Sequence, residues 1–507
     1  MNKIKIIGRF LVVTILLSVT SSLNQSCTSL EEELFSQVTT DDFFQDDNQF
    51  ISALGSGYTS LYGFMGDFYA AQEVSTDEVI VPQRGQDWFD GGHWIRLHRQ
   101  EYKSDDPIPN GTWNFLFGGV NTCNRLIFTF EELNAPGSEA FIAELRALRA
   151  LFYFWLLDTY GNVPIVDQFD VPADYAPATS DRKDVYDFVE KELNESLPLL
   201  SDAADLSTYG RMNQWVARVL LAKLYLNAQV YTGTAQWQKA LDQCNEVINS
   251  GNYSLTPNYF DNFKTDNGSS PETIFAIPYD QVFAQGNNLV MRTLHYSSQA
   301  TYNLTAQPWN GYCSIQEFYN SFDDTDVRKA SFLVGPQYSS AGTPITDPGY
   351  ENNDPDGPEV NFTPEINQHF PNTLRQAGAR IGKFEFALGA TDNLSNDMPI
   401  FRYADVLLMK AECEWRLSTG DPLALVNEIR SRAEVPALGV LTPEDLIAER
   451  GRELCFEAQR RSDLIRFGKY NDEWDFKPVT DPHVNIFPIP KNQLDANPNL
   501  KQNTGYN

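Results

Sequence analysis

Apolar side chains recur at three- and four-residue steps along several long stretches of this 507-residue chain. The clearest stretch is Ser138–Tyr160, which ends at Gly161 with Pro164 shortly after it. This period places the apolar side chains on one face of an α-helix, and glycine followed by proline is a common helix stop. The same pattern predicts further helices at 185–200, 213–231, 237–248, 401–417, 423–432 and 443–467.

Short turns join several of these predicted helices into pairs. The helices at 401–417 and 423–432, for example, are separated only by Ser418-Thr419-Gly420-Asp421-Pro422. Paired helices need neighbours on which to bury their apolar faces, so the pairs are expected to stack. The period of about 34 residues that is typical of tetratricopeptide repeats is not strictly kept. We therefore predict a mainly α fold whose scaffold consists of degenerate, tetratricopeptide-like helix pairs, formed mainly by residues 43–63, 121–250 and 397–470.

Two long segments, 64–120 and 252–396, show no helical period and are rich in Trp, Tyr, Phe, Asn, Gly and Pro. Structureless connections of this length are uncommon inside a compact domain unless they carry function. We predict that they form an irregular, loop-rich ligand-binding lobe with short strands such as Thr273–Pro278. Residues 484–507 are predicted to form a strap across the scaffold, so that residues 43–507 make a single domain.

The first 26 residues have the order of a secretory signal peptide, with basic residues, then an apolar run, then a small polar stretch. The apolar run, Phe10–Val19, is too short to span a bilayer comfortably. Cys27 follows, and Leu23 and Ser26 match a bacterial lipoprotein box, whereas the two residues between them match it poorly. We predict a signal peptide at 1–26, lipidation of Cys27 and an acidic tether at 27–42. Plain secretion with a free Cys27 is the alternative.

The chain is strongly acidic, with a formal net charge of −30 from 38 basic and 68 acidic residues. Removal of the signal peptide would make it more negative, because residues 1–26 hold three basic residues and no acidic ones. A surface of this sign repels the phosphates of nucleic acids and of anionic lipids. We therefore predict no nucleic-acid partner and expect membrane attachment to depend on the lipid. No later stretch is apolar enough to predict a transmembrane helix.

Motifs for catalysis and for metal binding are absent from the sequence. Apart from Cys27, the five scattered cysteines include no C-x-x-C pair, so neither a disulfide framework nor a zinc site is expected. There is no G-x-S-x-G, H-E-x-x-H or Walker motif. Carboxylate pairs of the kind that glycosidases use are too common among 68 acidic residues to be informative. We predict no enzyme activity, no metal and no cofactor, and keep a surface glycoside hydrolase as the rival of another class.

Four blocks of residues stand out by their composition and by their order along the chain. The first runs from Ala143–Ala150 through Phe152–Phe154 to Tyr160–Ile165. The others are Arg402-Tyr403-Ala404-Asp405 with Ala411-Glu412, then Arg452–Gly468, then Phe487–Pro490 with Asn497–Tyr506. These blocks resemble the signatures of the SusD/RagB family, the outer-membrane nutrient-uptake lipoproteins of Bacteroidetes. With the lipoprotein-like N terminus, the resemblance extends over nearly the whole chain.

The resemblance implies a tetratricopeptide-like scaffold that carries a variable lobe with the ligand site. It also implies a lipid-anchored protein on the exposed surface of the outer membrane. Such a protein binds a glycan or oligosaccharide without cleaving it and delivers it to a TonB-dependent SusC-like transporter. The same role with a peptide or another polymer as cargo is the alternative.

The ligand site is expected in the aromatic-rich loops. Sugars present flat patches of C–H bonds ringed by hydroxyls, which suit aromatic faces beside Asp, Asn, Gln or Arg side chains. The segments Thr76–Trp94 and Tyr296–Tyr312 have this composition and correspond, by segment, to the regions that hold the glycan in SusD-like proteins. Trp88 and Trp309 are the first candidates, because polar and turn-forming residues flank them. The other candidates are Arg84, Asp87, Trp94, Tyr296, Asn310 and Tyr312, and ordinary packing is the alternative for each aromatic residue.

The signature blocks also place charges on otherwise apolar helices. Arg146 and Arg149 are predicted to form ion pairs with Glu144, and Arg402 with Asp405, inside helix interfaces. Loss of one member of a buried pair is costly, which would explain such charges. Docking onto a transporter is the functional alternative.

Overall fold

Helices make up most of the regular structure in the computed structural model, which describes residues 47–133, 137–349 and 357–506. The predicted signal peptide, Cys27 and the acidic tether lie outside the described residues. The α-helices are α1 (Asp47–Tyr58), α2 (Asp67–Glu73), α3 (His93–His98), α4 (Pro107–Leu133), α5 (Ser138–Thr159), α6 (Arg182–Ser196), α7 (Gln214–Leu226), α8 (Ala228–Thr232), α9 (Trp237–Asn249), α10 (Leu289–Thr293), α11 (Gln299–Tyr302), α12 (Gln316–Asn320), α13 (Tyr403–Leu417), α14 (Pro422–Arg432), α15 (Pro443–Leu454), α16 (Arg460–Arg466) and α17 (Lys491–Ala496). The strands are β1 (Thr273–Ile277), β2 (Phe332–Leu333), β3 (Gly335–Pro336), β4 (Asn361–Phe362), β5 (Arg380–Ile381) and β6 (Met398–Arg402).

The long helices stack in a continuous series. Helix α4 packs on α5, α5 on α6, and α7 on α9. The series continues from α9 to α13, although the whole segment 252–396 separates these two helices in the chain, and α13 then contacts α14 and α15. The prediction of a mainly α scaffold of stacked helix pairs is confirmed. Within the ranges that the structure describes, none of the helices combines the length and the apolar character needed to cross a bilayer.

Helix α5 lies at the centre of the hydrophobic core. Leu148, Phe152 and Trp155 are all buried there. Gly119 on α4 faces this helix so closely that a Cβ atom at its position would lie 2.2 Å from the ring of Phe152. Only glycine therefore allows α4 to approach α5 to this distance.

Residues 64–120 were predicted to lack helices, and this prediction is wrong. Helices α2 and α3 and the first half of α4 lie in this segment. The sequence of α4 includes Asn110, Gly111, Gly118 and Gly119, which are poor helix formers and hide its period. Packing on α2 and α5 holds α4 in place, and packing of this kind outweighs local propensity.

The helix predicted at 443–467 is in fact two helices, α15 and α16, with a break between them. Phe456 and Ala458 in the break have φ angles of +62° and +58°, a conformation that L-residues rarely adopt. Glu78 accepts a hydrogen bond from the backbone N–H of Phe456 at 3.0 Å, and Glu73 accepts one from Ala458 at 2.6 Å. The break thus depends on side chains almost 400 residues away in sequence, which no local pattern reveals.

The segment 252–396 carries short helices and most of the strands. Strands β1 and β6 pair antiparallel, as do β2 with β5 and β3 with β4. The strand predicted at Thr273–Pro278 is present as β1 and is buried along its whole length. Because β6 leads directly into α13, the β1–β6 pair connects this segment to the scaffold.

The ion pairs predicted within the first block are replaced by pairs to residues of neighbouring segments. Arg146 and Arg149 both contact Glu192 on α6, at 2.7 and 2.5 Å. Glu144 instead pairs with Arg211 at 2.7 Å. The charges therefore join α5 to α6 and to the connection that precedes α7, and the predicted partners are wrong.

The predicted pair of Arg402 with Asp405 is also wrong. Arg402 precedes α13 in extended backbone and contacts Glu457 at 2.6 Å and Glu453 at 3.1 Å. Asp405, in the first turn of α13, contacts Arg450 at 3.0 Å. All five side chains are buried, as the hypothesis of interface charges required.

The C-terminal segment lies against the end of α5. The backbone N–H of Phe487 donates to the carbonyl of Thr159 at 2.8 Å. The side-chain amide of Asn503 donates to the carbonyl of Tyr160, also at 2.8 Å. These bonds satisfy carbonyl groups that the last turn of a helix leaves without intrahelical partners.

The cysteines of the described ranges lie in the interior as free thiols. Burial raises the pKa of Cys123 and Cys244 to about 12, so both stay protonated at neutral pH. These side chains act as small core residues. The five free, buried cysteines are Cys123, Cys244, Cys313, Cys413 and Cys455.

Candidate functional site

Two segments that are far apart in sequence meet to form an open cleft of about 470 Å³. We call it the aromatic cleft. Its lining residues are Gln86, Asp87, Trp88, Asp90, Tyr296, Gln307, Pro308 and Trp309. Two indoles and a phenol therefore lie beside two amides and two carboxylates.

A tight turn places Asp87 at the cleft. The backbone groups of Arg84 and Asp87 exchange hydrogen bonds at 3.0 and 3.1 Å, and Gly85 between them has a φ of +67°. The buried guanidinium of Arg84 stabilises this turn. It donates hydrogen bonds to the backbone carbonyls of Asn310 at 2.9 Å, of Ala377 at 2.8 Å, and of Leu374. Burial lowers the pKa of Arg84, and its donors are engaged by the protein.

The ring of Trp88 is held from three sides. Its indole N–H donates to the backbone carbonyl of Trp309 at 2.7 Å. The ring packs edge-on against Trp94 and Tyr312, with centroids 5.5 and 6.0 Å away. A Cβ atom on Gly311 would lie 2.3 Å from the indole, so the ring lies directly on the glycine backbone.

The segment that carries Trp309 is anchored to the end of α10. The N–H groups of Trp309 and Tyr312 donate to the carbonyls of Met291 and Arg292 at 2.6 and 2.7 Å. Trp309 keeps 40% of its surface exposed and contributes its side chain to the cleft. Asn310 next to it is fully buried, with a φ of +55°.

Tyr296 also lines the cleft and is hydrogen-bonded to the segment that carries Asp87 and Trp88. Its hydroxyl donates a hydrogen bond to the carboxylate of Asp87. The guanidinium of Arg375 lies 4.4 Å from the centre of the tyrosine ring, a cation–π contact. Burial and the nearby Asp87 both raise the pKa of the Tyr296 phenol, so the hydroxyl remains a donor at neutral pH.

The structure separates the predicted site residues into two layers. Asp87, Trp88, Tyr296 and Trp309 line the aromatic cleft. The other four lie buried beneath it and position the first group: Arg84, Trp94, Asn310 and Tyr312.

Two polar lining residues, Gln86 and Asp90, were not among the predicted site residues, and Gln307 was indicated only as part of the second segment. Each lies two residues from one of the selected tryptophans, which is the signal that could have identified it. Nothing in the sequence indicated Arg375, because its segment carries no aromatic cluster.

A larger groove, of about 550 Å³, lies between residues 100–105 and the C-terminal segment. Its aromatic side chains are Tyr102, which is buried, and Tyr506, which is half-buried. The aromatic cleft is therefore the better candidate for a stacking ligand, although it is smaller.

A stacked helical scaffold that presents an open aromatic cleft on inserted loops is the architecture of a helical ligand-binding protein. Comparison with known proteins gives the family. Residues 388–506 match the family model described as SusD family, and residues 20–226 match the model described as starch-binding, associating with outer membrane. The chain belongs to the SusD/RagB family, as its sequence blocks predicted, and this family is associated with the outer membrane.

Similar proteins of known identity come from Bacteroidetes. The starch-binding protein SusD of Bacteroides thetaiotaomicron is 27% identical over 418 residues, which cover 72% of each chain. The SusD-like protein P25 of Formosa agariphila is 24% identical and covers 94% of this chain and 96% of its own length.

Solved structures share the fold over nearly the whole chain. Surface glycan-binding protein A of Bacteroides thetaiotaomicron, in complex with laminarihexaose, superposes with a TM-score of 0.72 at 23% identity, covering 90% of this chain and 99% of the other. A laminarin binding SusD-like protein gives a TM-score of 0.74 at 22% identity, covering 91% of this chain and 100% of the other.

Proposed function

We propose that this protein captures a glycan or oligosaccharide at the aromatic cleft and delivers it, uncleaved, to a TonB-dependent SusC-like transporter in the outer membrane. One observation carries the proposal. Trp88, Trp309 and Tyr296 line one open cleft together with hydrogen-bonding side chains.

The chemistry of the aromatic cleft suits a sugar. Aromatic faces bury the C–H patches of a pyranose at low cost in side-chain entropy, and polar neighbours fix its orientation. Gln86 and Gln307 offer both donors and acceptors, whereas Asp87 and Asp90 accept bonds from sugar hydroxyls. Because the cleft is open, it can hold an internal stretch of a long polymer.

The names of similar proteins support this cargo over the alternatives. The curated relative is a starch-binding protein, and two structural neighbours bind laminarin or its hexaose. These are binding proteins, so the chain acts by capture and not as a glycoside hydrolase.

The membrane anchor and the transporter belong to the same proposal. A lipid on Cys27, followed by the acidic tether, would hold the protein at the outer membrane. The matched description of starch-binding proteins that associate with the outer membrane supports this location. Replacing Cys27 with Ser should move the protein from the membrane fraction to the soluble fraction and abolish its co-purification with the transporter.

Trp309→Ala tests the cargo. We expect a loss of about two- to tenfold in affinity for the polysaccharide that the wild type binds, because an aromatic stacking contact contributes about 0.5–1.5 kcal/mol and each 1.4 kcal/mol is about tenfold. The measurement is affinity electrophoresis in gels containing starch, laminarin or mannan, followed by calorimetry. Tyr175→Ala removes a similarly exposed aromatic, 46% against 40%, outside the cleft and should leave affinity unchanged.

Other results of the same experiment would contradict the proposal. Binding of peptides in place of polysaccharides would favour the rival cargo. Release of shortened sugars during incubation would favour a hydrolase. Equal affinity of the Trp309→Ala variant and the wild type would place the glycan elsewhere.

A further inference from the structure

The aromatic cleft carries fixed charge of one sign only. Asp87 and Asp90 are both exposed and line it. Among the described residues, no lysine, arginine or histidine lines the cleft. The whole chain adds to this local field, with its net charge of −30.

The arginines that pack around the cleft are committed to acceptors of the protein itself. Arg84 is buried and donates to backbone carbonyls. Arg375 lies under Tyr296 and pairs with Asp347 at 2.8 Å. Neither guanidinium belongs to the lining of the cleft: the donors of Arg84 are used by backbone carbonyls, and the charge of Arg375 is paired with a carboxylate.

Both carboxylates are fixed by donors that belong to the aromatic framework. Tyr296 donates its hydroxyl proton to Asp87. Trp94 donates its indole N–H to Asp90 at 2.9 Å. A carboxylate has about four acceptor positions, so each retains capacity for ligand donors after this bond.

We propose that the aromatic cleft selects uncharged glycans and rejects glycans that carry carboxylate or sulfate groups, and that Asp87 and Asp90 set this selectivity. The inference rests on the proposed glycan-capture function. Sugar hydroxyls can donate to the two carboxylates, whereas an anionic substituent meets like charge on a lining that, in the described part of the chain, presents no cation to it. Like-charge contact at a binding surface is a strong source of discrimination.

The first experiment is a binding panel of immobilised polysaccharides. The neutral members are starch, laminarin, mannan and xyloglucan, and the anionic members are alginate, polygalacturonate, carrageenan and dextran sulfate. We expect binding to a neutral member that is weakened in Trp309→Ala. Trp309-dependent binding to an anionic member would overturn the selectivity while leaving glycan capture intact. Absence of binding to every member would instead overturn the proposed function.

The second experiment compares derivatives of the neutral polysaccharide that binds. Its carboxymethylated form should bind at least about tenfold more weakly than its hydroxyethylated form, which has similar bulk without charge. The difference should narrow as salt rises from about 50 mM to about 500 mM, because the groups are exposed and screened. Equal affinity for the two derivatives would overturn the inference.

A double variant assigns the selectivity to its residues. Asp87→Asn with Asp90→Asn keeps an acceptor for Tyr296 and Trp94 and removes both charges. We expect it to bind the two derivatives within about threefold of each other. The control, Asp184→Asn with Asp187→Asn on α6, makes the same change in net charge on the scaffold and should discriminate as the wild type does. Undiminished discrimination by the cleft variant would overturn the assignment.

Discussion

At the scale of single residues, the aromatic cleft depends on positions that no ligand can reach. Gly311 has no side chain, and its backbone forms the surface on which the Trp88 ring lies. Trp88 itself adopts a φ of +62°, which bulky residues avoid unless their surroundings require it. The orientation of the ring is therefore imposed by its neighbours, and a change beneath the ring should alter binding.

Gly311→Ala tests this dependence. A Cβ atom would overlap the indole, so we expect Trp88 to be displaced, with a loss of about 1–3 kcal/mol in the free energy of unfolding and at least about tenfold in glycan affinity. Denaturant titration and calorimetry measure the two effects. Gly118→Ala on α4 is the matched control, because a Cβ there meets nothing within 4 Å. Unchanged affinity in a folded Gly311→Ala protein would show that the position of the Trp88 ring does not matter.

Glu73 gives a second prediction at this scale. Burial, opposed in part by the bond from Ala458 and by Lys383, raises the pKa of this carboxyl from 4.5 to about 7. Between these values the folded state binds more protons than the unfolded state, so the free energy of unfolding should fall as the pH rises from about 4.5 to about 7. A shift of this size corresponds to roughly 3 kcal/mol.

Glu73→Gln imitates the protonated carboxyl and should remove that loss. We expect the variant to match the wild type near pH 4 and to exceed its free energy of unfolding by roughly 3 kcal/mol at pH 8. The glutamine oxygen can still accept the bond from Ala458. Urea titrations at the two pH values measure the difference. An equal offset at both pH values would contradict the assigned ionisation.

The composition of two loop segments predicted the location of the cleft, but not which of their side chains line it and which are buried beneath it. Trp88 and Trp309 could be selected because polar and turn-forming residues flank them. Trp94 and Tyr312 have similar surroundings in sequence, yet both are buried. Whether such a ring is exposed depends on contacts with α10 and with the other loop, and these contacts are set only by the folded chain.

At the scale of elements, the break between α15 and α16 shows how a distant contact overrides a local pattern. The apolar period continues through 443–467, so a single helix was the natural prediction. Backbone N–H groups of the break instead donate to Glu73 and Glu78. Local propensity alone would not produce this conformation, since left-handed geometry costs an L-residue roughly 1–2 kcal/mol.

Ala458→Gly should therefore stabilise the protein. Glycine adopts a φ of +58° without strain, although it also gives the unfolded chain more entropy. The relief of strain is the larger of the two effects, so we expect a gain of about 0.5–1 kcal/mol in the free energy of unfolding. The same substitution at Ala448, inside α15, should cost about 1 kcal/mol. Denaturant titration compares the two. Destabilisation by both variants would mean that the geometry of the break imposes no strain on Ala458.

At the scale of the whole molecule, buried charges connect the lobe to the scaffold. Arg402, at the junction of β6 and α13, contacts Glu272 beside β1, and Glu453 and Glu457 beyond it. The sequence blocks predicted that such charges lie inside the structure, and this is confirmed by their burial. Their partners could not be predicted, because the pairs join segments separated by 51 to 130 residues.

The helices of the scaffold could be predicted from the sequence, but the order in which they stack could not. Amphipathic periods are local properties of the sequence, so they identified most helices of the scaffold. The contact between α9 and α13 closes the stack across the whole lobe and carries no local signature. Folding of the lobe must therefore leave β1 and β6 paired, since this pair brings α13 back to α9.

Arg402→Met tests this connection. The variant leaves three buried carboxylates without their shared cation, so we expect a loss of about 3–5 kcal/mol in the free energy of unfolding.

The same variant should also change the response to acid. Burial alone would raise the pKa of Glu453, but Arg432, Arg402 and Arg328 hold it at about 2. Without Arg402 the pKa of Glu453 should rise. A carboxyl group whose pKa is lower in the folded state than its unfolded value of about 4.5 stabilises the fold above that pH, and this stabilisation is lost as the pH falls. The variant should therefore begin to unfold in acid at a higher pH than the wild type. Lys183→Met, which removes an exposed and solvent-screened pair with Asp187, should leave both the free energy of unfolding and the acid transition unchanged. A variant at Arg402 as stable as this control would mean that the lobe is held to the scaffold by packing alone.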